Sequence, residues 1–343
     1  MPGSLGVTIF FFISGFLITT LLIREQEAAG AINLRHFYLR RYLRILPEAL
    51  AYIAVAGLLS MLFFHSLRAI DLFGAVFYFT NYLDIFNPIS GAPMPLGHFW
   101  SLSIEEHFYL TWPFAFILAR GDERKLVKFL VFVVIACTAV RLLATANGAN
   151  VSYLRYASES RFDSIAYGCL FAFLYRRKKG KMDIHPLANN ALFFGGAAIM
   201  ACSTYAGIFN VAPWIIEVFV YQGQGLGIFM IFMFLFLSRE RVWGETILEL
   251  KPVSWVGRHS YGMYLWHYAV IYGVVAVLGK SAPSQLTLSG QVLTFFLATI
   301  VSALAGYLSY ALLLAPLNSF RKRLRHEATS PHQSAAFGGQ GAT

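Results

Sequence analysis

Apolar residues fall in long, unbroken blocks rather than in the alternating or three-to-four patterns of a soluble core. Blocks of spanning length cover residues 5–23, 45–64, 102–119, 126–146, 162–175, 189–210, 214–237, 259–279 and 289–315. About 20 apolar residues in a helix cross a bilayer, and 162–175 is the shortest of the nine. A tenth stretch, 70–83, holds Asp71, Gly74 and Asn81 and is short for a span, so it reads as re-entrant or interfacial. Pro88, Gly91, Pro93, Pro95 and Gly97 make 84–101 a turn-rich outer loop, and Pro283 marks 280–288 in the same way. The pattern predicts an all-α polytopic membrane bundle: about nine spanning helices plus one re-entrant or short segment. It forms one transmembrane domain over 1–325, followed by a polar, small-residue tail, 326–343, expected to be disordered and cytoplasmic. No internal repeat is evident.

Composition agrees. Of 343 residues 57% are hydrophobic and 13% charged, against about 25% charged in soluble domains. The 32 Phe and 18 Tyr suit lipid contact and interfacial belts. A net charge of +10 would point to nucleic acid in a soluble chain. Here the basic residues instead gather after alternate spans, at Arg35–Arg44, Arg120–Lys128, Arg176–Lys181, Arg239–Arg258 and Arg321–Arg325. If 70–83 does not cross, all five clusters share one face, the cytoplasm, and the C-terminus is cytoplasmic. Nine spans would then leave Met1 outside, so a further apolar helix is expected ahead of residue 1. Residues 5–23 lack the basic start and cleavage site of a leader peptide and read as a span. Cys137, Cys169 and Cys202 all lie in apolar runs and read as buried structural thiols.

Polar residues inside these blocks are the chemical signal, because an ionisable group within a span is costly and tends to face an interior or a site. In HFWSLSIEEHFYLTWP, 98–113, Ser101 and Glu105 share a helical stripe with Phe108 or Tyr109, and Glu106 lies beside it. Paired carboxylates suit proton transfer; a helix start with Ser101 or Ser103 as cap explains the same residues structurally. In LRHFYLRRYLRILP, 34–47, Arg40 and Arg44 share a face with Arg41 flanking them. Three guanidinium forks suit a diphosphate; from spacing alone an anchor against anionic lipid is the simpler reading. His267, in WVGRHSYGMYLWHYAV at 255–270, is either a base or, more commonly, a core histidine bonded to a backbone carbonyl. Tyr261, Tyr264 and Tyr268 read as packing or belt residues. Arg161 and Asp163 read as an ion pair at an outer helix end, and GQGLG at 223–227 as close helix packing. No metal-ligand spacing, GxSxG or Walker motif is present.

Four of these stretches, in order, resemble the acyltransferase-3 family of membrane O-acyltransferases, which decorate bacterial cell-surface sugars: GVTIFFFISGFLI at 6–18, FYLRRYLRILP at 37–47, HFWSLSIEEHFYLTWP at 98–113 and SYGMYLWHY at 260–268. The resemblance implies transfer of an acyl group, usually acetyl, from acyl-CoA to a sugar hydroxyl of a cell-surface or exported glycan. It implies a multi-pass protein of the plasma membrane with no bound cofactor or metal, acyl-CoA serving as co-substrate. By the same resemblance Arg40, Arg41 and Arg44 would hold CoA phosphates at the inner face. Ser101, Glu105 and Glu106 would lie at the acceptor end, on the outer face, and His267 matches a recurrent late histidine. Two departures stand out. The family's first helix, with an Arg and a His eleven apart taken as the catalytic centre, has no counterpart in MPGSL, and the family's late Glu is Leu314 here, two before Pro316. A proton-coupled transporter or exporter, or an inactive truncated homologue, are the competing readings; a transporter would favour matching inverted halves, which are not found.

Overall fold

The computed structural model describes residues 3–64, 67–87, 96–179, 182–209, 213–239, 241–278 and 285–320. The proline-rich part of the outer loop, the 280–284 part of the second loop, the last basic cluster and the 326–343 tail lie outside them. Among the described residues nine helices of 20 to 27 residues coincide with the nine apolar blocks: α1 (Gly3–Ala29), α2 (Leu34–Leu59), α5 (Phe99–Leu118), α6 (Glu123–Ala146), α8 (Ser158–Lys178), α9 (Pro186–Phe209), α10 (Pro213–Phe236), α12 (Lys251–Val277) and α13 (Leu288–Ser309). Four short helices join them: α3 (Ala69–Val76), α4 (Thr80–Phe86), α7 (Val151–Tyr156) and α11 (Trp243–Leu248). The protein is a polytopic helical membrane bundle.

Each boundary has a local cause. Asn33, Asp122, Asn150 and Thr287 cap α2, α6, α7 and α13 by accepting backbone N–H groups. The 162–175 block is longer than its apolar core, because α8 begins at Ser158 and ends in Arg176, Arg177 and Lys178, cations that suit a helix C-terminus. The arginine run is not a loop but the first turns of α2 itself, continuous with the span despite Pro47. In 70–83 the chain makes two short helices, broken at Tyr78, whose φ is 59°. Neither is long enough to cross a bilayer, in line with the re-entrant reading. Arg68 ties this hairpin together, bonding both Asp71 and the carbonyl of Asn87.

The helices pack as two groups meeting at α5. On one side α1 packs on α8 and α10, with α6 against α8 and α9 against α10; on the other α2 packs on α12, and α12 on α13. One buried cluster runs through Phe11, Leu22, Phe108, Trp112, Ile165 and Cys169, another through Tyr52, Ala56, Phe99, Leu102 and Leu265, so α5 contributes to both. The α1–α8 crossing is close because Gly168 sits against the Phe12 carbonyl and Gly15 against that of Ile165, where any Cβ would collide. Gly196 and Gly227 face each other the same way between α9 and α10, so GQGLG packs helices as expected. Rim side chains such as Phe132, Ile135, Phe194, Phe295 and Ile300 are exposed, as lipid-facing residues are. Of the three thiols Cys137 and Cys169 are buried; Cys202 is exposed, because α9 lies at the rim.

One end of the bundle collects charge. Glu27 meets Arg176 at 2.6 Å, and Glu123 meets Arg176 and Arg177 at 3.3 and 2.6 Å. Met182 pairs with the chain at Leu237 and Arg239. The ends of α1, α6, α8 and α10 therefore share one side, which brings three of the five basic clusters together; Arg40, bonded to Glu25, joins them with a fourth.

Candidate active site

The expected separation of arginines and glutamates does not hold. Arg41 lies 3.9 Å from Glu105 and 3.7 Å from Glu106, and its guanidinium stacks 3.6 Å from the centre of the Tyr109 ring. The reason is the antiparallel packing of α2 and α5. Tyr38 donates to the Leu110 carbonyl at 3.1 Å, and farther along the pair Tyr52 stacks on Phe99. That register puts Arg41 level with 105–109, inside the bundle. The three arginines also part company. Arg40 pairs with Glu25 at the charged end, Arg44 is on the exposed face, and Arg41 alone turns inward.

Glu105 and Glu106 are both buried, and one oxygen of Glu105 has no hydrogen-bond partner among the described residues. Ser14 of α1 lies beside Glu105 and Tyr109, so three helices meet here. The capping alternative fails: α5 starts at Phe99 with His98 in the N-cap position, and Ser101 and Ser103 bond back to the carbonyls of His98 and Phe99.

Beside this group α12 adds a second layer. The Tyr264 hydroxyl donates to the His98 carbonyl at 2.9 Å and sits 2.5 Å from Ser101 Oγ. Ser101, Tyr264 and the His98 carbonyl form one hydrogen-bonded triangle, in which the carbonyl accepts and either hydroxyl can donate to the other. Ser101, expected among the reactive groups, is engaged in holding Tyr264. His267 Nδ1 bonds the Tyr264 carbonyl, which fixes the proton on Nδ1 and leaves the lone pair on Nε2. Its ring centre is 5.4 Å from that of His98. His98 is buried among Tyr52, Phe99, Tyr264 and Tyr268, and neither ring nitrogen has a partner among the described residues. Tyr264 was read as packing; its spacing of three before His267 on one helix face was the available signal.

The outer ion pair is also rearranged. Asp163 bonds Arg141 at 2.6 Å, not Arg161, and all three are fully buried rather than interfacial. Arg141 lies deep in the 126–146 block, far from Lys128 at its start, and a cation inside a span is the signal that marks it. Among the described residues no group of three or more His, Cys, Asp or Glu could hold a metal ion.

An all-helical membrane bundle with a buried arginine–dicarboxylate–tyrosine group on two facing helices defines a polytopic membrane protein with a built polar site at its seam. Residues 1–314 match the acyltransferase-3 family, described as an acyltransferase domain, and the chain belongs to it. It is 31% identical over 298 residues to the peptidoglycan O-acetyltransferase OatA of Listeria monocytogenes, covering 82% of this chain and 47% of that one. It is 29% identical over 352 residues to the O-acetyltransferase OatA of Staphylococcus aureus, covering 98% of this chain and 55% of that one. The chain thus spans about half the length of the curated relatives it matches. No solved structure matches it.

Proposed function

We propose that the protein is a membrane O-acyltransferase that moves an acyl group, of which acetyl is the favoured case, from acyl-CoA to a sugar hydroxyl of a cell-envelope glycan. Family membership and the peptidoglycan O-acetyltransferases it resembles support the class and the acceptor. The observation that carries the site is Arg41 held between Glu105, Glu106 and Tyr109 within the bundle.

In this reading the charged end faces the cytoplasm. Arg40, at the charged end of α2, and Arg44, on its exposed face, meet the CoA phosphates, and Arg41 belongs to the transfer site. The sugar oxygen attacks the thioester carbonyl carbon. A C–O bond forms, the C–S bond breaks, and the proton of the hydroxyl passes to a base and then to the departing thiolate. In this reading His267 Nε2 accepts that proton, with the His98 ring as its neighbour. Arg41 is a fixed positive charge for the oxygen that turns negative, and the two glutamates hold it in position. The test is direct. Membranes containing the protein are incubated with radiolabelled acetyl-CoA. Label should appear in polysaccharide or lipid-linked sugar, and an Arg41→Ala variant should move about a hundredfold less. No label above empty membranes overturns the reading.

A further inference from the structure

The Arg141–Asp163 pair leaves a second cation unanswered. Arg141 is fully used: Nε donates to the Val218 carbonyl at 2.9 Å, Nη1 to the Ser160 carbonyl, and Nη2 to Asp163 at 2.6 Å. Asp163 is fully used as well, accepting from Arg141, from Gln222 at 2.9 Å, and from the Ser164 backbone and hydroxyl at 2.7 and 3.3 Å. Arg161 is 0% exposed, yet it has no carboxylate of its own: Nη2 donates to the Thr8 hydroxyl at 3.2 Å, and Nε has no partner among the described residues. Its other neighbours are Tyr221, whose ring centre is 3.6 Å away and whose hydroxyl also acts on it, the ring faces of Phe11 at 5.5 Å and Trp100 at 5.9 Å, and at longer range the Asp163 charge that Arg141 already holds. Among the described residues two guanidiniums therefore share one carboxylate.

A guanidinium does not shed its proton at any accessible pH. Charge buried without a counter-ion is costly, and ring faces offset only part of that cost. An isolated bundle gains nothing from such a residue, and a bundle that takes up an anion does. The walls limit what that anion is. Flat aromatic faces beside a planar fork and a hydroxyl fit a small carboxylate or acyl oxygen with a short apolar tail better than a hydrated, multiply charged phosphate. Thr8 and Ser14 stand on the same helix, with Ser14 beside Glu105, so the position lies about 9 Å along α1 from the Arg41 group at 1.5 Å per residue.

We propose that Arg161, with Thr8 and the rings of Tyr221, Phe11 and Trp100, forms a second buried subsite that binds a small monocarboxylate or the oxygen of an acyl group. The binding site stands on its own geometry; its place in the transfer reaction rests on the acyltransferase reading above.

The full chain in lipid nanodiscs is melted while tryptophan fluorescence is followed, in sodium acetate and in sodium chloride at equal ionic strength. Acetate should raise the midpoint of the wild type by several degrees more than chloride, and Arg161→Met should abolish that difference. Without acetate, Arg161→Met should melt at or above the wild type, because an unpaired charge has gone, whereas Arg141→Met should melt lower, because it orphans Asp163. Equal shifts from acetate and chloride would overturn the proposal, as would Arg161→Met melting as low as Arg141→Met. With labelled acetyl-CoA, Arg161→Met should lower kcat about a hundredfold, and Arg161→Lys less. A wild type that shows the acetate shift but moves no label keeps the subsite and removes the acyltransferase reading.

Discussion

At the scale of single residues the seam turns on Arg41. It stands between two buried carboxylates, so its removal takes away their nearest cation. Breaking such a pair typically costs about 3–5 kcal/mol. Arg41→Ala should therefore lower the melting midpoint of the detergent-solubilised protein. Adding Glu105→Gln and Glu106→Gln should restore much of the loss without restoring transfer, which separates the structural role of the arginine from the catalytic one proposed for it. Ser101 gives the opposite expectation. Its hydroxyl is engaged with Tyr264 and the His98 carbonyl, and Tyr264 keeps its bond to that carbonyl when Ser101 is cut back to Ala. Ser101→Ala should cost roughly 1 kcal/mol, the net worth of one hydrogen bond, and less than tenfold in label transfer. A loss of several hundredfold would make the hydroxyl a reactant. Residue types and their spacing were legible in the chain: Glu105 with Tyr109 on one stripe, Arg40 with Arg44 on another. Which arginine turns inward was not, because that depends on the register of α2 against α5, a long-range contact with no local signature.

At the scale of elements, the apolar pattern named all nine long helices, yet only six pass as spans by length and hydropathy alone. The three that fail, α5, α8 and α12, carry Glu105 and Glu106, Arg161 and Asp163, and His259 and His267. Polar residues lower their hydropathy because these helices line the interior, so the weakest spans mark the sites. The pairing Arg141–Asp163 was illegible for a different reason: Arg161 is nearer Asp163 in sequence, and α6 must pack on α8 before Arg141 arrives. The α3–α4 hairpin supports a pH prediction. Burial, reinforced by Asp71 and opposed by Arg68, raises the Asp84 carboxyl to about 7. A raised folded-state value means the folded form holds its proton more tightly than the unfolded chain. The associated stability is complete below about pH 4 and is lost as pH rises through about 7. Asp84→Asn should flatten that decline and raise the melting midpoint at pH 8; an unchanged pH profile would show that Asp84 is solvated.

At the scale of the whole molecule, the two helix groups meet at α5, and the site lies where they meet. A seam between packed groups is where a bundle can open to a substrate without unfolding either half. The charged end sets its orientation. Glu27, Glu123, Arg176 and Arg177 interlock there, and Arg40 with Glu25 joins them; on the positive-inside rule we propose that this end lies in the cytoplasm. The 147–150 turn after α6 is then exposed to the outside, and Arg41 lies between the faces rather than on one. The prediction is tested by labelling single cysteines in intact cells. Cys202 is exposed and is first changed to Ser. A cysteine at Ala149 should react with a membrane-impermeant maleimide from outside. Cysteines at Arg124 and Lys179 should react only after the cells are opened. A cysteine at Arg41 should react slowly from either side, and faster once Glu105→Gln and Glu106→Gln loosen the group around it. Rapid outside labelling at Arg124 would invert the protein, and with it the entry side of the proposed acyl-CoA donor.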